Sequence, residues 1–429
     1  MDDLGNRDRR FVWHPFTQVQ TSPTPIQVVK AKDTLLITAD GKEYLDVNSS
    51  WWVNVHGHGK SEIGDAIRQQ FDELDHVIFA DVTHSAAVEL AENIVNVLGE
   101  PFQKVFFSDN GSTANEVALK MAIQYWHNAG TPKRRIMALD GAYHGDTFGA
   151  MAVGQRGFFN VPFEPFFFDV DFLDFPCEEN EAEVLNHARQ LFGSGEFAAV
   201  ILEPLIQGSS GMRIYSVHFL EALVRLARAN DVLVIYDEVM TAWGRTGQLF
   251  AFQHSGSTPD IICLSKGLTG GVLPLGLTVV TQPIFERFLS EEKKEGFLHG
   301  HSFTGNPLAC AAANASIRLF KDPLVWENIE RISRRHERFV QELKDIHQVA
   351  EARAFGTILA FDIATTSSGG YFASVRDSVY QFMLERGILL RPLGNCIYLN
   401  PPYCITDNEL DHVYESLLSF LKSDFLKNI

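Results

Sequence analysis

Val232-Leu233-Val234-Ile235-Tyr236-Asp237-Glu238 and Ile261-Ile262-Cys263-Leu264-Ser265-Lys266-Gly267 are two apolar, β-branched runs, each closing on a charged residue. Runs of this kind read as strands buried on both faces, which is the pattern of parallel sheets. Similar runs occur at 104–108, 135–139 and 198–202, and helix-period segments such as 216–229 fall between several of them. Strand–helix alternation predicts an α/β domain with a mostly parallel sheet covered on both sides. In such sheets ligands sit beyond the carboxyl ends of the strands, which is where Asp237, Lys266 and Glu203, just after 198–202, are placed.

The ends of the chain read differently. A helix pattern at 371–385 leads into 387–391 and a strand-like run at 396–399, and an amphipathic helix is predicted at 407–426. The first 50 residues carry short strand-like runs with turn signals, such as Ala39-Asp40-Gly41-Lys42. The expected organisation is an N-terminal segment 1–50 that joins a small α+β domain, a large domain over 51–320, and a C-terminal small domain over 321–429.

The chemistry is narrowed by Lys266 and Asp237, 29 positions apart. A lysine at a buried strand end is costly unless used or paired. Its amine forms imines with carbonyls, and desolvation lowers its pKa toward that use. Pyridoxal phosphate (PLP) requires such a lysine, and a carboxylate against its pyridine nitrogen. A phosphate could be met at Ser108-Asp109-Asn110-Gly111-Ser112-Thr113-Ala114-Asn115-Glu116, where a glycine-bearing helix start follows a strand. Thr113 and Glu116 there match a capping box, so an ordinary capped helix is the other reading. Tyr143, in Gly141-Ala142-Tyr143-His144-Gly145-Asp146, could stack on a ring or fill a core. Two arginines could anchor a carboxylate; we read Arg245 as a structural ion pair and Arg391 as the substrate anchor.

Composition excludes other classes. Among 429 residues the formal charge is 36 − 54 = −18, which repels nucleic acid and anionic membranes. The 33 phenylalanines read as core packing. Five widely spaced cysteines without a C-x-x-C fit a reducing cytoplasm better than a disulfide or zinc framework, and no metal is expected. No apolar run approaches a membrane span, and the charged start is no signal peptide. Gly57-His58-Gly59-Lys60-Ser61 resembles the end of a nucleotide-phosphate loop, but Asn54 stands where its first glycine is required. Retention of both Lys266 and Asp237 argues against a catalytically silent binding protein.

Asp237-Glu238-x5-Gly244-Arg245-Thr246-Gly247 followed by Asp260-Ile261-x3-Ser265-Lys266-Gly267-Leu268-x-Gly270-Gly271 resembles the signature of the class III PLP-dependent aminotransferases. The resemblance implies fold type I, a large cofactor domain with a small α+β domain, and a homodimer with shared active sites. A narrower likeness is to members that aminate 8-amino-7-oxononanoate in biotin synthesis. It rests on Trp13-His14-Pro15-Phe16-Thr17, Ser49-Ser50-Trp51-Trp52, Tyr143 to Gly149, His299 to Pro307 and Ile397 to Tyr403. It implies that Lys266 forms the imine and moves the proton, that Asp237 holds the pyridine nitrogen, and that Gly111 and Ser112 receive the phosphate. His301 and Ser302 would reach the phosphate in the partner subunit, and Glu203 and Tyr143 would border the cofactor. Trp51, Tyr143 and Gly300 would shape the substrate pocket, Phe16, Trp52 and Tyr398 would add apolar walls, and Arg391 would take the carboxylate. Two positions depart from the best-known relatives: Phe16 replaces Tyr, and His301-Ser302 replaces Pro-Thr. The expected amino donor is S-adenosylmethionine, with lysine as the alternative because of Phe16.

Overall fold

The computed structural model describes residues 4–364 and 374–423. Its centre is a seven-stranded sheet. Across it run Phe102–Ser108, Gly276–Thr281, Ile261–Leu264, Leu233–Asp237, Phe197–Leu202, Arg135–Leu139 and Val170–Leu173. The alternation of side chains along each strand explains why both faces are apolar. Ile201, Ile235, Ile261 and Cys263 pack with Ala114, Val117, Ala118 and Met121 of helix Gly111–Asn128. Val200, Val234, Tyr236, Ile262 and Leu264 face the other way, into a core with Leu90 and Ile94 of Ser85–Leu98 and Phe219 and Leu223 of Val217–Ala229. Each such side chain contributes about 1.5–3 kcal/mol by leaving water.

The five strands read from sequence, at 104–108, 135–139, 198–202, 232–236 and 261–264, are all present, with ends shifted by no more than two residues. Two further strands, Val170–Leu173 and Gly276–Thr281, were not among them. Gly276–Thr281 pairs antiparallel with both of its neighbours, so the sheet is mixed, with one reversed strand. The connection 265–275 explains the reversal, because a parallel return needs a crossover of a dozen or more residues. The capping box also lies earlier than Thr113 and Glu116: Asn110 is the cap, with Thr113 as its reciprocal partner. Glu116 instead accepts from the backbone N–H groups of Gly149 and Ala150, at 2.6 and 3.2 Å.

Strands Val28–Lys32, Leu35–Thr38 and Glu43–Asp46 form a separate sheet, turning at Gly41. Glu43–Asp46 pairs in parallel with Ile388–Leu389, so the two chain ends share that sheet. Val349–Phe355, Ile358–Ile363 and Cys396–Leu399 make an antiparallel sheet. The helix expected over 371–385 spans Ser374–Leu384, and the final helix spans Asp407–Leu421; positions 371–373 and 424–426 lie outside the described residues. Among the described residues no helix is long and apolar enough to cross a membrane.

The turn of the antiparallel sheet docks on the loop Gly244 to Gly247. Gly356 has φ +58°, and a Cβ there would lie 2.2 Å from the carbonyl carbon of Thr246. Beside it the Thr357 N–H donates to the Arg245 carbonyl at 2.9 Å. Gly356→Ala therefore combines a left-handed backbone with overpacking and should lower the unfolding free energy by about 2–4 kcal/mol. Denaturant titration checks this through the midpoint at unchanged slope.

Candidate active site

Asp237 ends its strand opposite Cys263, so the carboxylate and the Ser265-Lys266-Gly267 turn leave the sheet side by side. Asp237 is 3% exposed. Its Oδ2 accepts from Asn115 Nδ2 at 2.7 Å and His144 Nδ1 at 2.8 Å, and its Oδ1 from the Val239 N–H at 3.0 Å. Donating to a carboxylate places a proton on His144 Nδ1. Asn115 also donates to the His144 carbonyl at 2.8 Å, tying that loop to the strand end.

Lys266 opens a short 3-10 turn with φ +49°. Its Nζ lies 4.3 Å from the Trp52 ring centroid, and among the described residues it has no hydrogen-bond or ion-pair partner. Burial lowers its pKa to about 8; Asp237 and Glu203 pull it back up, and Arg245 lowers it further. Glu203, also buried, accepts from the Gly208 N–H at 3.0 Å and the Tyr143 N–H at 3.3 Å. Burial raises its carboxyl to about 7.

The helix carrying Asn115 begins at Gly111, so Gly111 and Ser112 are its first two residues, with backbone donors that helical bonding does not use. A Cβ at Gly111 would lie 2.6 Å from Val239 Cγ1, so only glycine fits there without a shift. Ser112 Oγ accepts from the Thr147 N–H at 3.0 Å and lies 2.8 Å from Thr147 Oγ1. A carboxylate held by three donors, a deprotonatable lysine on the next strand and a helix start form a set that fits PLP.

The expected walls separate into two groups. Trp52 and Tyr398 are 4% and 3% exposed, and Trp52 Nε1 donates to Tyr398 Oη at 2.9 Å, so they back the lysine from within. Phe16 and Trp51 are exposed, edge to face at 5.3 Å, and the Arg391 guanidinium lies 5.6 Å from the Trp51 ring centroid. Phe159, 5.9 Å from Phe16, extends this row and was not singled out from sequence. The turn that presents the tryptophans is strained, with positive φ at Ser49, Ser50 and Trp52. The buried Asp46 holds it, accepting from Ser50 N–H and Oγ and pairing with His58 Nε2 at 2.9 Å.

Residues 16–421 match the family described as Aminotransferase class-III. The chain belongs to the class-III aminotransferase family. The adenosylmethionine-8-amino-7-oxononanoate aminotransferase of Synechococcus elongatus is 48% identical over 96% of this chain and 98% of its own. The solved structure of the enzyme of that name from Methanocaldococcus jannaschii has a TM-score of 0.92 at 34% identity, covering 98% of both chains. A PLP-bound amine transaminase from an uncultivated Pseudomonas species has a TM-score of 0.89 at 28% identity, covering 96% of this chain and 98% of that one.

In this aminotransferase Gly300, His301 and Ser302 lie in the segment between the short turn Lys293–Glu295 and helix Pro307–Leu319. The His301 N–H donates to Thr304 Oγ1 at 3.0 Å, and His301 Nδ1 accepts from the Phe303 N–H at 3.2 Å. Among the described residues no hydrogen bond joins the three to Lys266, Asp237 or Gly111. Among the described residues the buried Arg245 has no ion pair, unlike the expected structural ion pair. Its Nη1 donates to the Pro401 carbonyl at 2.6 Å, and its guanidinium lies 5.1 Å from the Tyr403 ring centroid. Asn115 and His144 are the partners of Asp237 that sequence reasoning missed; Asn115 is 122 positions away, and no local pattern links the two.

The lowered amine has a direct consequence. In cofactor-free protein, acylation of Lys266 should rise with pH through a midpoint of about 8, because the amine is protonated below that value and free above it. Asp237→Asn removes a charge that favours the protonated form and should move the midpoint lower. Peptide mapping after timed labelling reads both; a midpoint at the ordinary 10.5 would show a solvated amine.

Proposed function

We propose that this aminotransferase converts 8-amino-7-oxononanoate to 7,8-diaminononanoate, with PLP held by Lys266 and S-adenosylmethionine as amino donor. The observation that carries the reading is the placing of Lys266 and the triply held Asp237 at adjacent strand ends. The names of the full-length relatives support the choice of acceptor. When bound, PLP supplies an electron-withdrawing ring that stabilises negative charge on the amine-bearing carbon.

The residues divide the work. Asp237, whose carboxylate accepts from Asn115, His144 and the Val239 N–H, would face the pyridine nitrogen and favour its protonated form. Gly111 and Ser112 bind the phosphate at the helix start, with Tyr143 and Glu203 bordering the cofactor. Lys266 Nζ takes a proton from the amine-bearing carbon of the donor and returns one to the ketone carbon of the acceptor. The donor leaves as a carbonyl compound and the acceptor gains its amine, in two half-reactions through one pocket. Trp51 with Phe16 lines the aliphatic chain, Trp52 and Tyr398 back the lysine, and Arg391 binds the carboxylate at the pocket mouth.

A homodimer belongs to this reading, with Gly300, His301 and Ser302 serving the site of the partner. We read residues 51–320 as the cofactor domain, and 1–50 with 321–429 as the small domain, supported by the shared sheet of the two chain ends. Five unpaired cysteines support a cytoplasmic location. One observation favours lysine as the donor: Phe16 offers a ring without a hydroxyl, packed between Trp51 and Phe159.

Lys266→Ala should abolish turnover and the visible absorbance of the cofactor-bound protein; normal turnover would refute the assignment. Arg391→Ala should raise KM for 8-amino-7-oxononanoate about 10- to 100-fold, the value of a two-pronged charged hydrogen bond. Unchanged kinetics would remove Arg391 from the site. Mixing the enzyme separately with S-adenosylmethionine and with lysine identifies the donor as the compound that bleaches the absorbance.

A further inference from the structure

Lys266 holds a left-handed backbone conformation that side-chain-bearing residues seldom adopt, so its neighbours must impose it. The carbonyls on both sides of it are tied. Trp243 Nε1 donates to the Ser265 carbonyl at 3.2 Å, and Ser316 Oγ donates to the Gly267 carbonyl at 3.2 Å. Ser316 is fully buried in helix Pro307–Leu319. Serine inside a helix commonly bonds back to its own turn, as Ser333 does to the Ile329 carbonyl. Ser316 instead reaches out of its helix to the lysine turn.

Ser316 has one hydrogen. With that hydrogen on the Gly267 carbonyl, its oxygen accepts, and the neighbour it accepts from is His56, whose Nε2 lies 3.1 Å away. His56 is 4% exposed, and burial holds it neutral, with its pKa lowered to about 3. The bond to Ser316 therefore selects the neutral tautomer with hydrogen on Nε2. Gly270, at φ +62°, borders the pair: a Cβ there would stand 2.7 Å from Ile63 Cδ1 and in ordinary contact with His56 Cδ2 and Ser316 Oγ, at 3.4 and 3.7 Å.

We propose that His56 and Ser316 are positioning residues for Lys266, forming a relay from imidazole to hydroxyl to the Gly267 carbonyl that fixes the backbone from which the lysine projects. The proposal rests on Lys266 carrying the cofactor. Neither residue contacts the reacting atoms, so their effect must pass through the orientation of Lys266.

The test compares Ser316→Ala with Ser316→Thr, which keeps the hydroxyl. Cofactor-stripped protein is mixed with PLP, quenched with borohydride at timed intervals, and the label at residue 266 is measured beside kcat and KM. Ser316→Ala should slow labelling and lower kcat about tenfold each, the value of one lost hydrogen bond. KM for 8-amino-7-oxononanoate should stay within about twofold, and Ser316→Thr should recover most of both losses. Should Ser316→Ala not fold, His56→Gln against His56→Leu gives the same contrast, because only glutamine keeps an N–H for Ser316. Normal labelling and kcat in the variants that lose the hydrogen bond would overturn the relay alone. So would equal damage in each pair, which would mean packing only. An unsubstituted chain that takes no label at residue 266 would overturn the reading of Lys266 itself.

Discussion

Burying an acid and an amine at neighbouring strand ends is the constraint around which the molecule is arranged. Removing either charge from water costs several kcal/mol unless new partners replace the water. Asp237 is given three donors. Among the described residues Lys266 has no hydrogen-bond or ion-pair partner, and burial lowers its pKa instead. The two groups thus differ in how their burial is met. Their placement side by side depends on the parallel pairing that puts Asp237 opposite Cys263, three residues before the lysine.

Several of the backbone positions with positive φ fall at the candidate site. Lys266, Ser49, Ser50 and Trp52 all have positive φ, each costing about 1–3 kcal/mol. Each of these stretches is gripped by buried polar groups: Asp46, itself paired with His58, for the tryptophan turn, and Ser316 and Trp243 for the lysine turn. The apolar core on both faces of the sheet supplies the surplus stability that this strain consumes.

Much of this was legible in the sequence because it is local. A strand buried on both faces is written as a continuous apolar run, and its terminal charged residue stands out by contrast. The strands ending at Leu202, Asp237 and Leu264, the acid and the lysine could all be read in this way. Gly276–Thr281 escaped because one more β-branched run does not announce its direction; the shortness of its connection does. The cap at Asn110 was misplaced because Thr113 and Glu116 fit the same spacing rule as Asn110 and Thr113. His56, Ser316, Asn115 and Asp46 were invisible for a different reason. Their roles arise from contacts across the fold, as between His56 and Ser316, 260 positions apart, and nothing adjacent in the chain distinguishes them from ordinary polar residues.

The wall behind the tryptophans is stitched from opposite ends of the chain. Asn48 Nδ2 donates to the Tyr398 carbonyl at 3.0 Å, across 350 positions, and Ser49 Oγ donates to the Asn400 carbonyl. During synthesis on a ribosome adding about 5–20 residues per second, the earlier partner emerges roughly 20–70 s before the later one. Through that interval the seven strands of the central sheet, all translated by residue 281, can assemble while that wall lacks its second half. Sheet and wall thus mature at different times, and the strand ends that carry Asp237 and Lys266 form before the wall that faces them is closed.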